Sequence, residues 1–181
     1  MRKIPTEIEA VLVVEAEVYG DGRGFFMETF RASEWEARAG GGSFVQDNHS
    51  GSGQGILRGL HYQVKFPQGK LVRAVVGEIY DVAVDLRCSS PTFGRWVGVR
   101  LSAQNRRQLW VPPGFAHGFY VLSEWAEVVY KATAYYAPEW ERTIRWDDAE
   151  LKIDWPLLGG APQLSAKDAA GAAFRAAEYY D

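Results

Sequence analysis

Glu78-Ile79-Tyr80-Asp81-Val82-Ala83-Val84-Asp85-Leu86 is the stretch on which the fold turns. Its period of two puts Tyr80, Val82, Val84 and Leu86 on one face of a β-strand, and Ile79, Asp81, Ala83 and Asp85 on the other. Similar short runs lie outward from it at 11–18, 25–30, 56–63, 70–76, 96–101, 107–111, 118–122 and 127–133. Turn formers separate them: Gly20-Asp21-Gly22, Gly51-Ser52-Gly53, Ser89-Ser90-Pro91 and Pro112-Pro113-Gly114. About nine short strands without amphipathic helices between them argue against βαβ units and predict an all-β antiparallel sandwich or barrel. Helix is confined to the periphery. Ser33 reads as the N-cap of a short helix that reaches 39 and stops at Gly40-Gly41-Gly42. The alanine-rich tail 165–180 reads as a second, opened by Ser165-Ala166-Lys167-Asp168 as a capping box. Residues 146–162, with Trp155-Pro156, read as an irregular strap over the barrel. The expectation is a single domain over 1–181, with 147–181 as C-terminal strap and short helix.

Composition narrows the function. A chain of 181 residues, 47% hydrophobic and 24% charged, can bury a sizeable core without staples. The net charge of −3, with no block of one sign, makes neither nucleic acid nor an anionic membrane an expected partner. Cys88 is the single cysteine, so neither an intramolecular disulfide nor an all-cysteine metal site is available, which fits a reducing cytoplasm. Glu7 and Glu9 interrupt what would be the apolar part of a signal peptide after Met1-Arg2-Lys3. No apolar run approaches a membrane span. The histidines are His49, His61 and His117, and this scarcity limits the chemistry most.

Three constellations carry chemistry. Pro112-Pro113-Gly114-Phe115-Ala116-His117-Gly118 is a Pro-x-Gly-x-x-His turn that aims a histidine into a β-barrel and resembles the second motif of cupins. Metal-dependent cupins add a His-x-His; the upstream candidate here is His61-Tyr62-Gln63, and glutamine is a poor ligand for a transition metal. His117 is therefore either a hydrogen-bonded histidine of the barrel wall or part of a two-histidine, one-carboxylate set. In Gly55-Ile56-Leu57-Arg58-Gly59-Leu60-His61-Tyr62-Gln63, strand alternation groups Arg58, Leu60 and Tyr62 on one face and Leu57, Gly59, His61 and Gln63 on the other. An arginine and a histidine in a glycine-bearing strand suggest close approach by a ligand. Gln68-Gly69-Lys70-Leu71-Val72-Arg73 then delivers Lys70 and Arg73 either as buried cations wanting an anion or as solvated rim charges. The third set is Arg23-Gly24-Phe25-Phe26-Met27-Glu28 with Phe44-Val45-Gln46-Asp47-Asn48-His49-Ser50. Gln46 and Asn48 share a strand face, where two amides can read the edge of a base while Phe26 stacks on it. Asp47-Asn48 and Ser50-Gly51 are equally ordinary loop formers. His49 fits a surface or rim position, and Tyr130 in Val128-Val129-Tyr130-Lys131 fits packing as readily as catalysis.

The strings Gln46-Asp47-Asn48-His49-Ser50, Leu57-Arg58-Gly59-Leu60-His61-Tyr62-Gln63, Gly69-Lys70-Leu71-Val72-Arg73, Asp81-Val82-Ala83-Val84-Asp85, Ser90-Pro91-Thr92-Phe93-Gly94-Arg95-Trp96 and Pro112-Pro113-Gly114-Phe115-Ala116-His117-Gly118-Phe119 occur together in order. In that order and spacing they closely resemble the dTDP-4-dehydrorhamnose 3,5-epimerases of bacterial dTDP-L-rhamnose synthesis. The likeness runs from about Ile4 to Trp155-Pro156 and on into Leu164-Ser165-Ala166-Lys167-Asp168. The resemblance implies a cupin-type antiparallel jelly-roll barrel with short peripheral helices. It also implies a cytoplasmic homodimer with an exchanged N-terminal segment, working without metal or cofactor on a dTDP-4-keto-6-deoxy sugar. By correspondence His61 is the base, Asp168 its paired carboxylate, Tyr130 the acid on the opposite face and Lys70 the cation near the C4 oxygen. His117 matches a second barrel histidine near the sugar, and Arg23 and Arg58 match diphosphate contacts. Phe26, Glu28, Gln46 and Asn48 match residues around the nucleotide, and Tyr136 an aromatic that packs on thymine. Arg23, Phe26 and Glu28 belong to the crossing segment and are expected to serve the partner's site. The capping box alone would also account for Asp168, and Asp81 or Asp85 could orient a histidine instead. Trp140 stands where a smaller residue is expected.

Three competing readings remain. A relative inverting only C3 or only C5 would share base, acid and barrel. A catalytically dead nucleotide-sugar sensor would lose His61 or Tyr130, and both are present. A metal-dependent cupin would need the missing His-x-His.

Overall fold

A computed structural model describes residues 2–39 and 42–181, the side chains of 36–39 apart. Met1, Gly40 and Gly41, and with the latter two part of the expected stop of the first helix, lie outside the described residues. Among these the chain forms thirteen strands and two short helices: β1 (Arg2–Pro5), β2 (Leu12–Glu15), β3 (Val18–Asp21), β4 (Gly24–Met27), α1 (Ala32–Ala39), β5 (Gln46–Gly53), β6 (Leu57–Gln63), β7 (Lys70–Val76), β8 (Glu78–Asp85), β9 (Trp96–Ser102), β10 (Arg107–Val111), β11 (Phe115–Val121), β12 (Trp125–Ala132), β13 (Glu141–Thr143) and α2 (Ala166–Ala169). One sheet runs β1-β2-β10-β7-β12-β5 and the other β13-β6-β11-β8-β9, while β3 and β4 pair as a separate hairpin. Every one of these pairings is antiparallel, which gives the expected jelly-roll sandwich.

The two sheets enclose a core from Val13, Val72, Ala74, Leu109 and Val128 on one side and Ile79, Ala83, Phe115 and Phe119 on the other. The second sheet is covered again on its outer face. There Val82 and Val84 of β8, and Leu86 just past its end, pack with Leu57, Leu60, Tyr62, Trp155 and Phe174. This double burial is why 78–86 reads as a nearly continuous apolar run, broken by Asp81 and Asp85 on the inward face. On the first sheet's outer face, α1 sets Trp35 against Trp110 at 4.9 Å between ring centroids, edge to face, with Val14 and Leu71 beneath.

The structure corrects the reading of β6. His117 of β11 pairs with His61, but Phe119 pairs with Arg58, so β6 carries one residue more than its partner between these positions. This bulge cancels the simple alternation. Arg58 and His61, assigned by alternation to opposite faces, both face the interior of the sandwich, while Leu57, Leu60 and Tyr62 pack outward. Gly59 makes the bulge possible. Its φ is +127°, and a Cβ there would sit 2.5 Å from Gly118 Cα and 2.8 Å from the His117 carbonyl oxygen. Gly59→Ala is expected to cost about 3 kcal/mol of stability, since both neighbours are backbone and cannot yield. An unchanged urea midpoint would show that the strand absorbs the methyl group.

Other boundaries shift for identifiable reasons. The run 11–18 divides into β2 and β3, 25–30 ends at Met27, and α1 starts at Ala32, which puts Ser33 inside its first turn rather than at its cap. Gly51-Ser52-Gly53 is not a turn but the end of β5, a strand with no apolar residue until its neighbours. The tail is not one helix: α2 spans four residues, and a single 3₁₀ turn, Phe174–Ala176, follows. Gly171 and the parallel bridge of Ala172 to Ile144 interrupt it, trading helix for docking on the second sheet. No helix among the described residues is long and apolar enough to cross a membrane.

Candidate active site

A cavity of about 370 Å³ opens between the sheets, and the two walls contribute different chemistry. From the second sheet come Arg58 and His61 of β6, His117 and Phe119 of β11 and Glu141 of β13. From the first come Lys70 of β7, Tyr130 of β12 and Gln46, Asn48 and Ser50 of β5. The polar composition of β5 follows from this position, because alternate residues face a wet cavity instead of apolar core.

His61 donates from Nε2 to Asp168 Oδ1, in contact across 107 residues of chain. Asp168 is buried, its Oδ2 takes the Ser165 hydroxyl at 2.8 Å, and its own N–H donates to Ser165 Oγ at 3.1 Å. The capping box and the histidine partner are therefore the same residue: its backbone serves the cap and its carboxylate serves the ring. Burial pushes the Asp168 carboxyl up, but the His61 hydrogen bond and charge and the Ser165 bond more than offset this and hold it below the ordinary value. A carboxylate on Nε2 fixes that nitrogen as the one bearing hydrogen and leaves Nδ1 with the lone pair a base requires.

Asp81 and Asp85, the other candidates for orienting His61, are engaged elsewhere. Asp81 pairs with His117 Nε2 at 2.8 Å, both buried. Asp85 takes Arg87, Ser90 and Thr92. Each barrel histidine thus has its own carboxylate. Among the described residues no group of three or more His, Cys, Asp and Glu is arranged to hold a metal ion.

Lys70 is buried, and burial pushes its ammonium down to about 8, against the opposing charges of Glu141 and Asp81. Its Nζ lies 5.9 Å from the centroid of the Tyr130 ring. The Tyr130 phenol is pushed above its ordinary value, first by burial and then by Glu141, so it stays protonated at neutral pH. Arg73, three residues on, points out of the opposite face into a groove with Gln108 and Lys131, so the two cations part company. Arg58 donates from Nε to Ser52 Oγ at 2.9 Å, which sets its guanidinium at the rim. Gln46 donates to Asn48 Oδ1 at 2.9 Å and accepts from the Tyr136 backbone at 2.9 Å. His49, which the sequence left without a partner, pairs with Glu127 at 3.0 Å at the mouth.

Two charged lining residues, Glu141 and Lys167, were given no role by sequence reasoning. Glu141 accepts from the Tyr136 hydroxyl at 2.8 Å and pairs with Lys167 at 2.9 Å. Burial raises the Glu141 carboxyl, and these two donors bring it below its usual range. Its place depends on β13 lying beside β6, a pairing without a local signal. Lys167 stood in view within the capping box, next to Asp168. Trp140 is not a lining residue; its ring carries Lys65 Nζ at 3.9 Å from the centroid.

Arg23, Phe26 and Glu28 are not brought to this cavity. Arg23 is 90% exposed and bound to Asp21, Phe26 is 69% exposed on β4, and Glu28 pairs with Arg31 at 2.7 Å.

The chain is similar to known proteins along nearly its whole length. Residues 5–176 match the family described as dTDP-4-dehydrorhamnose 3,5-epimerase. The chain is 58% identical over 181 residues to the dTDP-4-dehydrorhamnose 3,5-epimerase of Pseudomonas aeruginosa, covering 99% of each chain. It superposes with a TM-score of 0.95, at 53% identity and 98% and 94% coverage, on the Legionella pneumophila dTDP-6-deoxy-D-glucose-3,5-epimerase in complex with dTDP-4-keto-L-rhamnose. A 3′-monoepimerase from Streptomyces bikiniensis in complex with dTDP-quinovose is more distant, at 34% identity and a TM-score of 0.86, covering 93% and 86%. With a family match over nearly its whole length and relatives above half identity, the chain belongs to the dTDP-4-dehydrorhamnose 3,5-epimerase family.

Proposed function

We infer that the chain converts dTDP-4-dehydro-6-deoxy-D-glucose to dTDP-4-dehydro-L-rhamnose by inverting C3 and C5, with His61 as base and Tyr130 as acid. The observation that carries this reading is their placement on opposite sheets across one cavity. The C4 ketone acidifies the protons on both neighbouring carbons, so no cofactor is needed to form the enolate. His61, oriented by Asp168, removes a proton from one face. Tyr130, kept protonated by burial, returns one to the other. Lys70 lies beside Tyr130 as the cation for the enolate oxygen, with His117 next to His61. Arg58 suits the diphosphate, and Gln46, Asn48 and Tyr136 suit the nucleobase. Incubation with the 4-keto sugar nucleotide in D2O counts the inversions. Deuterium at both C3 and C5 with L-rhamno product is expected; label and inversion at one carbon alone would make the chain a single epimerase.

Lys70 supplies a pH test. A cation aimed at an oxygen that becomes charged only after proton abstraction acts on turnover more than on binding. Lys70→Ala is expected to lower kcat by roughly 10²–10³ with KM changed only a few-fold. Because burial brings the ammonium down to about 8, the charged form dominates below that value and is lost as pH rises through it. Wild-type kcat is thus expected to fall on the alkaline side of about 8. A tenfold rise in KM with unchanged kcat would make Lys70 a substrate clamp instead.

The N-terminal hairpin is read as completing the site of a second copy in a homodimer. Its support is the exposure of Arg23 and Phe26 on β3–β4, away from their own cavity. Co-expressed Arg23→Ala and His61→Ala chains would then form mixed dimers with one intact site, giving about a quarter of wild-type activity per site. Activity no higher than the mean of the two parents would place Arg23 in its own chain's site.

A further inference from the structure

Gln63 ends β6 and is 3% exposed, yet it is absent from the cavity lining. A buried amide is costly unless its hydrogen bonds are met, so its partners indicate why the position is not apolar. All of them are backbone groups of the loops at the outer end of the cavity. Oε1 accepts from the Ala137 N–H at 2.9 Å, while Nε2 donates to the Tyr135 carbonyl at 3.3 Å and the Phe66 carbonyl at 2.9 Å. From the other sheet, Gln46 accepts the N–H of Tyr136 at 2.9 Å. Three consecutive loop residues are thus pinned by two amides. Little apolar burial holds this loop otherwise, since Tyr135 is 70% and Tyr136 51% exposed.

We propose that Gln63 is a positioning residue that holds the backbone of 135–137 so that the Tyr136 ring stands ready for the nucleobase. It never touches the substrate, and the inference rests on reading Tyr136 as the nucleobase-side aromatic. The test is calorimetry of Gln63→Met with dTDP and, separately, with inorganic pyrophosphate, alongside steady-state kinetics. Expected are about tenfold weaker dTDP binding, pyrophosphate binding within about twofold, and a KM rise of about tenfold with kcat changed less than about threefold. In a Tyr136→Ala background the same substitution should add less than about twofold, because both act through one ring. Gln63→Glu keeps the acceptor for Ala137 and is expected to be intermediate, which covers failure of the methionine variant to fold. Equal weakening of dTDP and pyrophosphate, or full additivity with Tyr136→Ala, would overturn the proposal in favour of a general structural role. Normal dTDP binding by the Gln63 variants while Tyr136→Ala weakens it would overturn the positioning alone. Unchanged binding by Tyr136→Ala would remove the nucleobase reading and the proposal together.

Discussion

His61→Ala is expected to abolish solvent exchange and epimerisation together, by on the order of 10⁴ in turnover. Without a base no enolate forms, and neither later step has a substrate. The remaining barrel histidine is a poor stand-in, because His117 is buried against Asp81. Asp168 loses its ring but keeps the Ser165 hydroxyl, so the fold around α2 should survive. The check is NMR of the sugar nucleotide in D2O. Label entering C3 or C5 at the wild-type rate would move the base elsewhere and take the case for Asp168 with it.

Tyr130→Phe should fail in a different way. His61 can still remove a proton and return one from the same face, so deuterium should enter with configuration retained. Inversion should drop by roughly 10²–10⁴, the usual loss for a general acid. The substitution removes one oxygen and preserves the ring that Lys70 faces, so packing is spared. Inversion at the wild-type rate would make Tyr130 a wall residue and move the acid elsewhere, though not to His117, which stands beside His61 on the same sheet.

What could be read in the sequence, and what could not, follows from where each signal lives. The 78–86 run announced a strand because both its faces are buried by other parts of the chain. β5 stayed ambiguous because its inward residues face solvent-filled space and carry the vocabulary of loops. Alternation misplaced Arg58 relative to His61 because a one-residue bulge leaves no mark beyond a glycine. The base, acid and lysine were named through likeness to a family, and the cavity gathers them. Glu141 was missed because its neighbours are brought by pairing distant in sequence. The tail was overread as helix from its alanines, since propensity says nothing about the docking of Ala172 on Ile144.

The contact between His61 and Asp168 spans 107 residues, and this separation bears on how the protein is made. A ribosome adding roughly 5–20 residues per second needs about 5–20 s to deliver the carboxylate after the histidine. During that interval the nascent barrel strands can pair, but the His61 ring has no carboxylate to set its tautomer. A product cut short before Ser165 would carry every strand of both sheets and still lack the carboxylate that orients His61. On the proposed reading, competence therefore waits for residues 165–168 to follow the barrel strands, and a chain lacking them is expected to be inert toward the 4-keto sugar.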